Sequence, residues 1–179
     1  DKTELIQYTN SVLFGEQKYI CVSRPRRFGK SMAANMLTAY YSRGCDSYEL
    51  FKDTEIATKD SFRKHMNQYN VIHLDVSTFW DSYKDDIVEQ IQEYIFDELK
   101  EEYSDRIDCT KMISAVLMSV YKITNIPFVI IIDEWDCVIR NSRDKALVHK
   151  YLQFLHSLFK SEESKAFLAL AYMTGILPI

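Results

Sequence analysis

The sequence predicts an α/β fold, a parallel sheet with helices layered on both faces. Three observations carry that expectation. Short runs of strand-forming residues alternate with stretches of helical periodicity. The strongest run, Phe128 to Ile132, is apolar at every position, as in a strand buried on both faces. The run Tyr19 to Ser23 leads through a short turn-prone segment into Lys30-Ser31, where helical spacing begins, so strand, loop and helix follow one another directly.

Taken in order, Tyr19 to Ser23 is the first expected strand. Met32, Met36, Leu37 and Tyr40 then fall on one face of a helix over Ser31 to Tyr41, and Gly44 supplies its stop. Asp60 to Tyr69 reads as a short helix and Val71 to Val76 as the second strand. Ile87, Ile91, Tyr94, Ile95 and Leu99 line one face of a long helix from Tyr83 to Glu102, whose acidic residues form its solvated side. Ile113, Val116, Leu117 and Val120 mark the next helix, and Phe128 to Ile132 the third strand. Leu147, Tyr151, Leu155 and Leu158 mark another helix, and Ala166 to Met173 is the fourth strand.

A chain of 179 residues can build one domain with a full core but not two large ones. Hydrophobic residues at 47% and charged residues at 27% argue for a folded domain rather than disorder. The net charge of −4 carries no overall nucleic-acid signature, although Arg24, Arg26, Arg27 and Lys30 concentrate positive charge in one segment. The four cysteines show neither C-x-x-C nor a zinc spacing, which favours structural thiols in a reducing, cytoplasmic setting. No apolar run approaches the ~18 residues of a membrane span, so no membrane partner is expected.

The chemistry is concentrated at Arg24-Pro25-Arg26-Arg27-Phe28-Gly29-Lys30-Ser31. A loop between a strand and a helix N-terminus presents backbone N–H groups to phosphate oxygens, where the helix dipole favours anions. In that role Arg26, Arg27, Phe28 and Gly29 supply the cradle, and Gly29 lets the backbone approach without a side chain in the way. Lys30 puts positive charge on the terminal phosphates, and Ser31 offers a hydroxyl to Mg²⁺. The pattern G-x-x-x-x-G-K-[ST] has Arg24 at its first glycine. Alone, Gly-Lys-Ser is equally a helix cap with a lysine nearby.

A second motif bears on that choice. The third strand ends in Asp133-Glu134. An acid at this strand end holds Mg²⁺ in P-loop NTPases, and a second acid after it is placed to act as general base on water. The competing reading has the two acids capping the following helix. Thr174, after the fourth strand, is a candidate sensor of the γ-phosphate in the type with an added strand between the Walker A and Walker B strands; otherwise it is a turn hydroxyl before Gly175. No N-K-x-D guanine-reading motif occurs, and no base-reading residue is identified.

Other residues carry alternatives. Asp75 reads as support for the metal's water shell or as a strand-end acid, and His73 as packing. Asp136 is a candidate to hold its loop or to contact Lys30. Arg140 and Arg143 read either as arginine fingers across a homo-oligomer interface or as surface charge.

Asp1-Lys2-Thr3, Ser23 to Ser31, Ile132-Asp133-Glu134 and Thr174-Gly175-Ile176 together resemble the AAA-ATPase-like family of bacterial and archaeal P-loop ATPases. The string Ser-Arg-Pro-Arg-Arg-Phe-Gly-Lys-Ser is the most specific part, and the resemblance makes Arg24 a family trait. It implies a three-layer P-loop NTPase with strand order 5-1-4-3-2, ATP and Mg²⁺ as ligands, and Lys2 and Thr3 near the nucleotide. It also implies a nuclease domain of the restriction-endonuclease type following the ATPase domain in many members; these residues carry no nuclease chemistry. Residues 1–179 are expected to form a single ATPase domain, with 1–18 as lead-in and 19–179 as nucleotide-binding core, in an N-terminal fragment that lacks the fifth strand and leaves the first strand's edge open. Mg²⁺-dependent ATP hydrolysis is the expected function. The alternatives are a nucleotide switch with negligible turnover, controlling a partner or nuclease domain, and phosphoryl transfer to a small molecule.

Overall fold

Parallel strands demand crossover connections, and this chain supplies a helix-containing crossover between each strand and the next. The computed structural model describes residues 1–177, so the last two residues of the expected core lie outside the described residues. The chain opens with α1 (Glu4–Val12), followed by β1 (Tyr19–Ser23), α2 (Lys30–Tyr41), the short α3 (Tyr48–Phe51) and α4 (Ser61–His65). Then come β2 (Asn70–Asp75), α5 (Val76–Tyr83), α6 (Ile87–Tyr103) and α7 (Ile113–Thr124). The last part holds β3 (Phe128–Asp133), α8 (Cys137–Asn141), α9 (Lys145–Phe159), α10 (Glu162–Phe167) and β4 (Leu168–Gly175).

The four strands form one parallel sheet in the order β1-β4-β3-β2. The strand latest in sequence therefore lies between the two that carry the motifs. Register aligns Ser23 with Gly175, and Asp75 with Asp133, so the carboxyl ends gather along one edge of the sheet. Ligands of open α/β sheets bind along this edge.

β3 explains why its sequence lacks alternation. Phe128, Ile130 and Ile132 pack into one core with residues of α6, α7 and α9, among them Ile91, Leu117 and Tyr151. Val129 and Ile131 face the other core, with Ile6, Leu37, Tyr40 and Tyr41. Both faces being covered, every residue of the strand is buried.

Several boundaries differ from the sequence reading. Ala166 and Phe167 finish α10, whose start is fixed by the Ser161 hydroxyl accepting from Ser164 N, and β4 runs on through Thr174 and Gly175. Val76 opens a helix because the Asp75 carboxylate accepts from Ser77 N. The helix expected from about Tyr83 to Glu102 is α6, Ile87–Tyr103, and a separate α5 precedes it, ending where Lys84 adopts a φ of 47°. The helix expected over Asp60 to Tyr69 spans only Ser61–His65, and the amide of Tyr69 bonds instead to the carbonyl of Tyr41. All four cysteines are free; Cys137 is buried, whereas Cys45 is exposed. Among the described residues no helix is long and apolar enough to cross a membrane.

The segment expected as a lead-in contains α1, which is held on α2 by a buried polar chain. Thr9 Oγ1 and Tyr41 Oη lie 2.6 Å apart, and Tyr41 Oη donates to Asn10 Oδ1 at 2.8 Å. Asn10 Nδ2 donates to Tyr40 Oη at 3.0 Å. Each hydroxyl is partnered, which buried polar groups require. Removing the Tyr41 phenol oxygen leaves buried Asn10 Oδ1 without its donor. Tyr41→Phe is expected to lower unfolding free energy by about 1–3 kcal/mol in equilibrium denaturation, with unchanged stability as the contrary result.

Candidate functional site

The loop after β1 bends through left-handed backbone at two places. Gly29 has a φ of 73°, at little cost for glycine, and Arg27 has a φ of 69°, which is strained for a side-chain-bearing residue. Alternation of this kind turns successive N–H groups toward a common concavity suited to anions. Arg24 to Phe28 are exposed along the loop, and α2 begins at Lys30 directly behind it. A Cβ on Gly29 would come within 2.7 Å of Lys2 Nζ, so Lys2 meets the loop. Thr3 does not: it is buried, and its hydroxyl accepts from the Ile56 amide.

Lys30 is only 8% exposed, a burial that requires partners for its charge. Its ammonium donates to the carbonyls of Arg24 at 2.5 Å, Pro25 at 3.4 Å and Gly175 at 3.2 Å. Three donors meet three acceptors. Ser31 is exposed at the first turn of α2. A cavity of ≈ 270 Å³ is walled by Arg26, Arg27, Gly29, Lys30, Ser31 and Glu134. A second, of ≈ 410 Å³, lies on the other side of Gly29 and Lys30, with Lys2, Leu5, Val22, Phe28 and Tyr172 in its wall.

At the end of β3, Asp133 is buried and accepts a hydrogen bond from the Thr174 hydroxyl. The same hydroxyl accepts from Glu134 N at 3.3 Å, and Trp135 N donates to the Thr174 carbonyl at 2.9 Å. Thr174 is fully buried within β4 and faces Asp133, neighbouring the acid instead of forming a free turn beyond the strand. Glu134 leaves the strand with a φ of 56°, and its Oε2 accepts from Arg140 Nη2 at 2.6 Å.

Asp136 is fully buried. Its Oδ2 accepts from the amides of Ile176 at 2.8 Å and Leu177 at 2.7 Å, and lies 3.2 Å from Arg140 Nε. Burial opposes its charge, but the Leu177 and Ile176 amides and the Arg140 guanidinium together hold its pKa below the ordinary carboxylate value. Of the two expectations for Asp136, it holds the loop; the contact with Lys30 is absent because that lysine turns to the Gly175 carbonyl.

Gly175 permits the arrangement. A Cβ there would lie 2.7 Å from Trp135 Nε1 and 3.0 Å from Asp136 Cγ. Asp75 is spent on capping, accepting from Ser77 N, Ser77 Oγ and Thr78 Oγ1. His73 is half-buried in a separate groove beside α6, where burial lowers its pKa against the pull of Asp133 and Asp75. Arg143 is exposed, but Arg140 is not surface charge: its side chain is 16% exposed and is engaged within the site. Sequence reasoning missed this internal role. The available signal was the four-residue spacing from Asp136 to Arg140, which pairs charges on a helix turn.

A left-handed glycine before Lys-Ser at a helix start, and an acidic strand end two strands away in a parallel sheet, define a P-loop-like α/β protein. A family model described as Predicted AAA-ATPase matches residues 1–179, and the chain belongs to this AAA-ATPase-like family. No curated protein matches the chain. Membership supports ATP binding at the level of the family.

The depressed pKa of Asp136 has a signed consequence. Its stabilising contribution is complete above the unfolded carboxyl value of about 3.9 and is lost as pH falls through the lower folded value. Asp136→Asn should cost roughly 2–4 kcal/mol at neutral pH. The difference from wild type should shrink below about pH 4. Denaturant unfolding at several pH values measures both, and a gap that widens with acid contradicts the assignment. Gly175→Ala, which places a methyl against the Trp135 indole, should cost about 1–3 kcal/mol in the same assay.

Proposed function

We propose that the protein binds ATP with Mg²⁺ at the Gly29–Ser31 loop and hydrolyses its β–γ bond. The observation that carries this reading is the cavity in which Glu134 shares a wall with Lys30 and Ser31. The backbone of Arg26 to Lys30 receives the β and γ phosphates. Lys30 exchanges its carbonyl partners for phosphate oxygens and offsets the charge that develops on them. The larger cavity beyond Gly29, with Val22, Phe28 and Tyr172 in its wall, gives room for the nucleoside, and Lys2 stands beside it.

The residues present suit magnesium. This ion usually takes one or two carboxylates and completes its shell with phosphate oxygens and water. The exposed Ser31 hydroxyl and the Asp133 carboxylate would hold it, with Thr174 orienting Asp133 through its hydroxyl. When bound, the ion neutralises charge on the β and γ oxygens. Among the described residues no three acidic, histidine or cysteine side chains gather as a dedicated cage, and this chemistry needs none. Glu134 takes a proton from the water that attacks the γ-phosphorus; the bond to the bridging β–γ oxygen breaks, giving ADP and phosphate.

A nucleotide switch with negligible turnover is the second reading. It is favoured by the engagement of both charged groups within the protein, Lys30 by carbonyls and Glu134 by Arg140. Glu134→Gln separates the two. Removing the general base should lower phosphate release by about 10²–10⁴-fold while ATP binding persists. Lys30→Ala should weaken ATP binding itself. Full turnover in Glu134→Gln would refute the role of Glu134, and tight ATP binding without release in the wild-type protein would select the switch.

A further inference from the structure

Arg140 is a charged group of the site to which the reaction above gives no role. Arg140 sits on α8 with little exposure, between the two carboxylates of Glu134 and Asp136. We infer that Arg140 is the positioning residue for Glu134: braced by buried Asp136, its guanidinium fixes the carboxylate so that one oxygen is anchored and the other is left to meet water. This rests on the proposed role of Glu134 as base.

Three features carry the inference. The Glu134 backbone is fixed just past the strand at a φ of 56°, its amide on the Thr174 hydroxyl and its carbonyl accepting from Cys137 N, which leaves only the side chain to be positioned. Its side chain is long, and the one anchor is Arg140 Nη2, 2.6 Å from Oε2. Among the described residues, no hydrogen bond to Oε1 is made, so that oxygen is available on a residue that walls the Lys30–Ser31 cavity.

The brace itself is fixed. Asp136 is fully buried at the start of α8, four residues before Arg140, and is clamped by two backbone amides beyond β4. Arg140 Nε lies 3.2 Å from Asp136 Oδ2 but makes no well-aligned hydrogen bond to it. The guanidinium is therefore held there mainly by charge, while its other end makes the directed bond to Glu134. A solvent-exposed ion pair would contribute little; this pair is 16% and 21% exposed. A guanidinium spanning two carboxylates also uses a fork geometry that an ammonium cannot reproduce.

The test is steady-state phosphate release from ATP by the full-length protein, with Arg140→Gln, Arg140→Lys and Glu134→Gln read beside wild type. Misplacing a catalytic group by about 1 Å costs on the order of 10²-fold in rate. Arg140→Gln should therefore lower kcat about 10- to 100-fold, with the KM for ATP within about threefold of wild type. Arg140→Lys, which keeps the charge and loses the fork, should fall between the two. Combined with Glu134→Gln, Arg140→Gln should reduce the residual rate by less than about twofold, since residues acting through one group are not additive. Wild-type kcat in Arg140→Gln, or a change confined to KM, overturns the inference. Should Arg140→Gln melt out at assay temperature, Arg140→Lys decides alone: reduced kcat at unchanged KM supports positioning, and wild-type kcat overturns it. Intact turnover in Glu134→Gln is a different failure, that of the base assignment itself.

Discussion

The carbonyl of Gly175 accepts from the amide of Arg24 and from the ammonium of Lys30. One residue earlier, the Thr174 hydroxyl bonds to Asp133 and accepts from Glu134 N, and the Thr174 carbonyl accepts from Trp135 N. One residue later, the amides of Ile176 and Leu177 go to Asp136. The end of the central strand thus joins the loop after β1 to the acidic end of β3. A parallel sheet leaves its strand ends without ladder partners, and buried backbone groups must find some. Here those obligations are met by the same atoms that set the relative positions of Lys30, Asp133 and Glu134.

This accounts for the small residue at the junction. The Trp135 indole and the Asp136 carboxylate converge on Gly175, and the indole lies where any side chain would begin. It also accounts for the buried aspartate. Asp136 carries its charge in full burial because two amides and a guanidinium face it. A charge buried without such partners would be strongly destabilising, whereas a partnered one holds geometry more than it adds stability. The Asp136–Arg140 pair is best understood as an orienting device.

Much of the fold could be read from the sequence because its signals are local. The apolar run at β3 and the strand-to-helix step at Gly29-Lys30 follow from burial and backbone rules that act over a few residues. The errors fall where local signals conflict with tertiary ones. Ala166 and Phe167 suit a strand by composition, but the Ser161 cap commits them to α10. Val76 likewise suits a strand by composition, but the Asp75 cap makes it the first residue of α5. For the site, Gly29, Lys30, Ser31, Asp133 and Glu134 were legible as a motif. What Arg140 and Asp136 hold was not, because their partners are amides and a carboxylate brought near only by the order β1-β4-β3. Nor could Thr3 and Lys2 be separated in sequence, though one packs under Ile56 and the other meets the loop.

The arrangement bears on how nucleotide binding and the acidic strand end would be linked in the proposed reaction. Lys30 spends its charge on three carbonyls, one of them Gly175. A phosphate that draws the ammonium away competes against those bonds, so its affinity is the difference between two sets of contacts and not the gross strength of one. Gly175 is covalently continuous with the amides that hold Asp136, and Asp136 in turn faces the arginine that anchors Glu134. The Gly175 carbonyl and the Glu134 carboxylate are thus joined by a short chain of bonded and charge-paired groups. The end of β4 supports both the lysine and the acid that the proposed reaction requires.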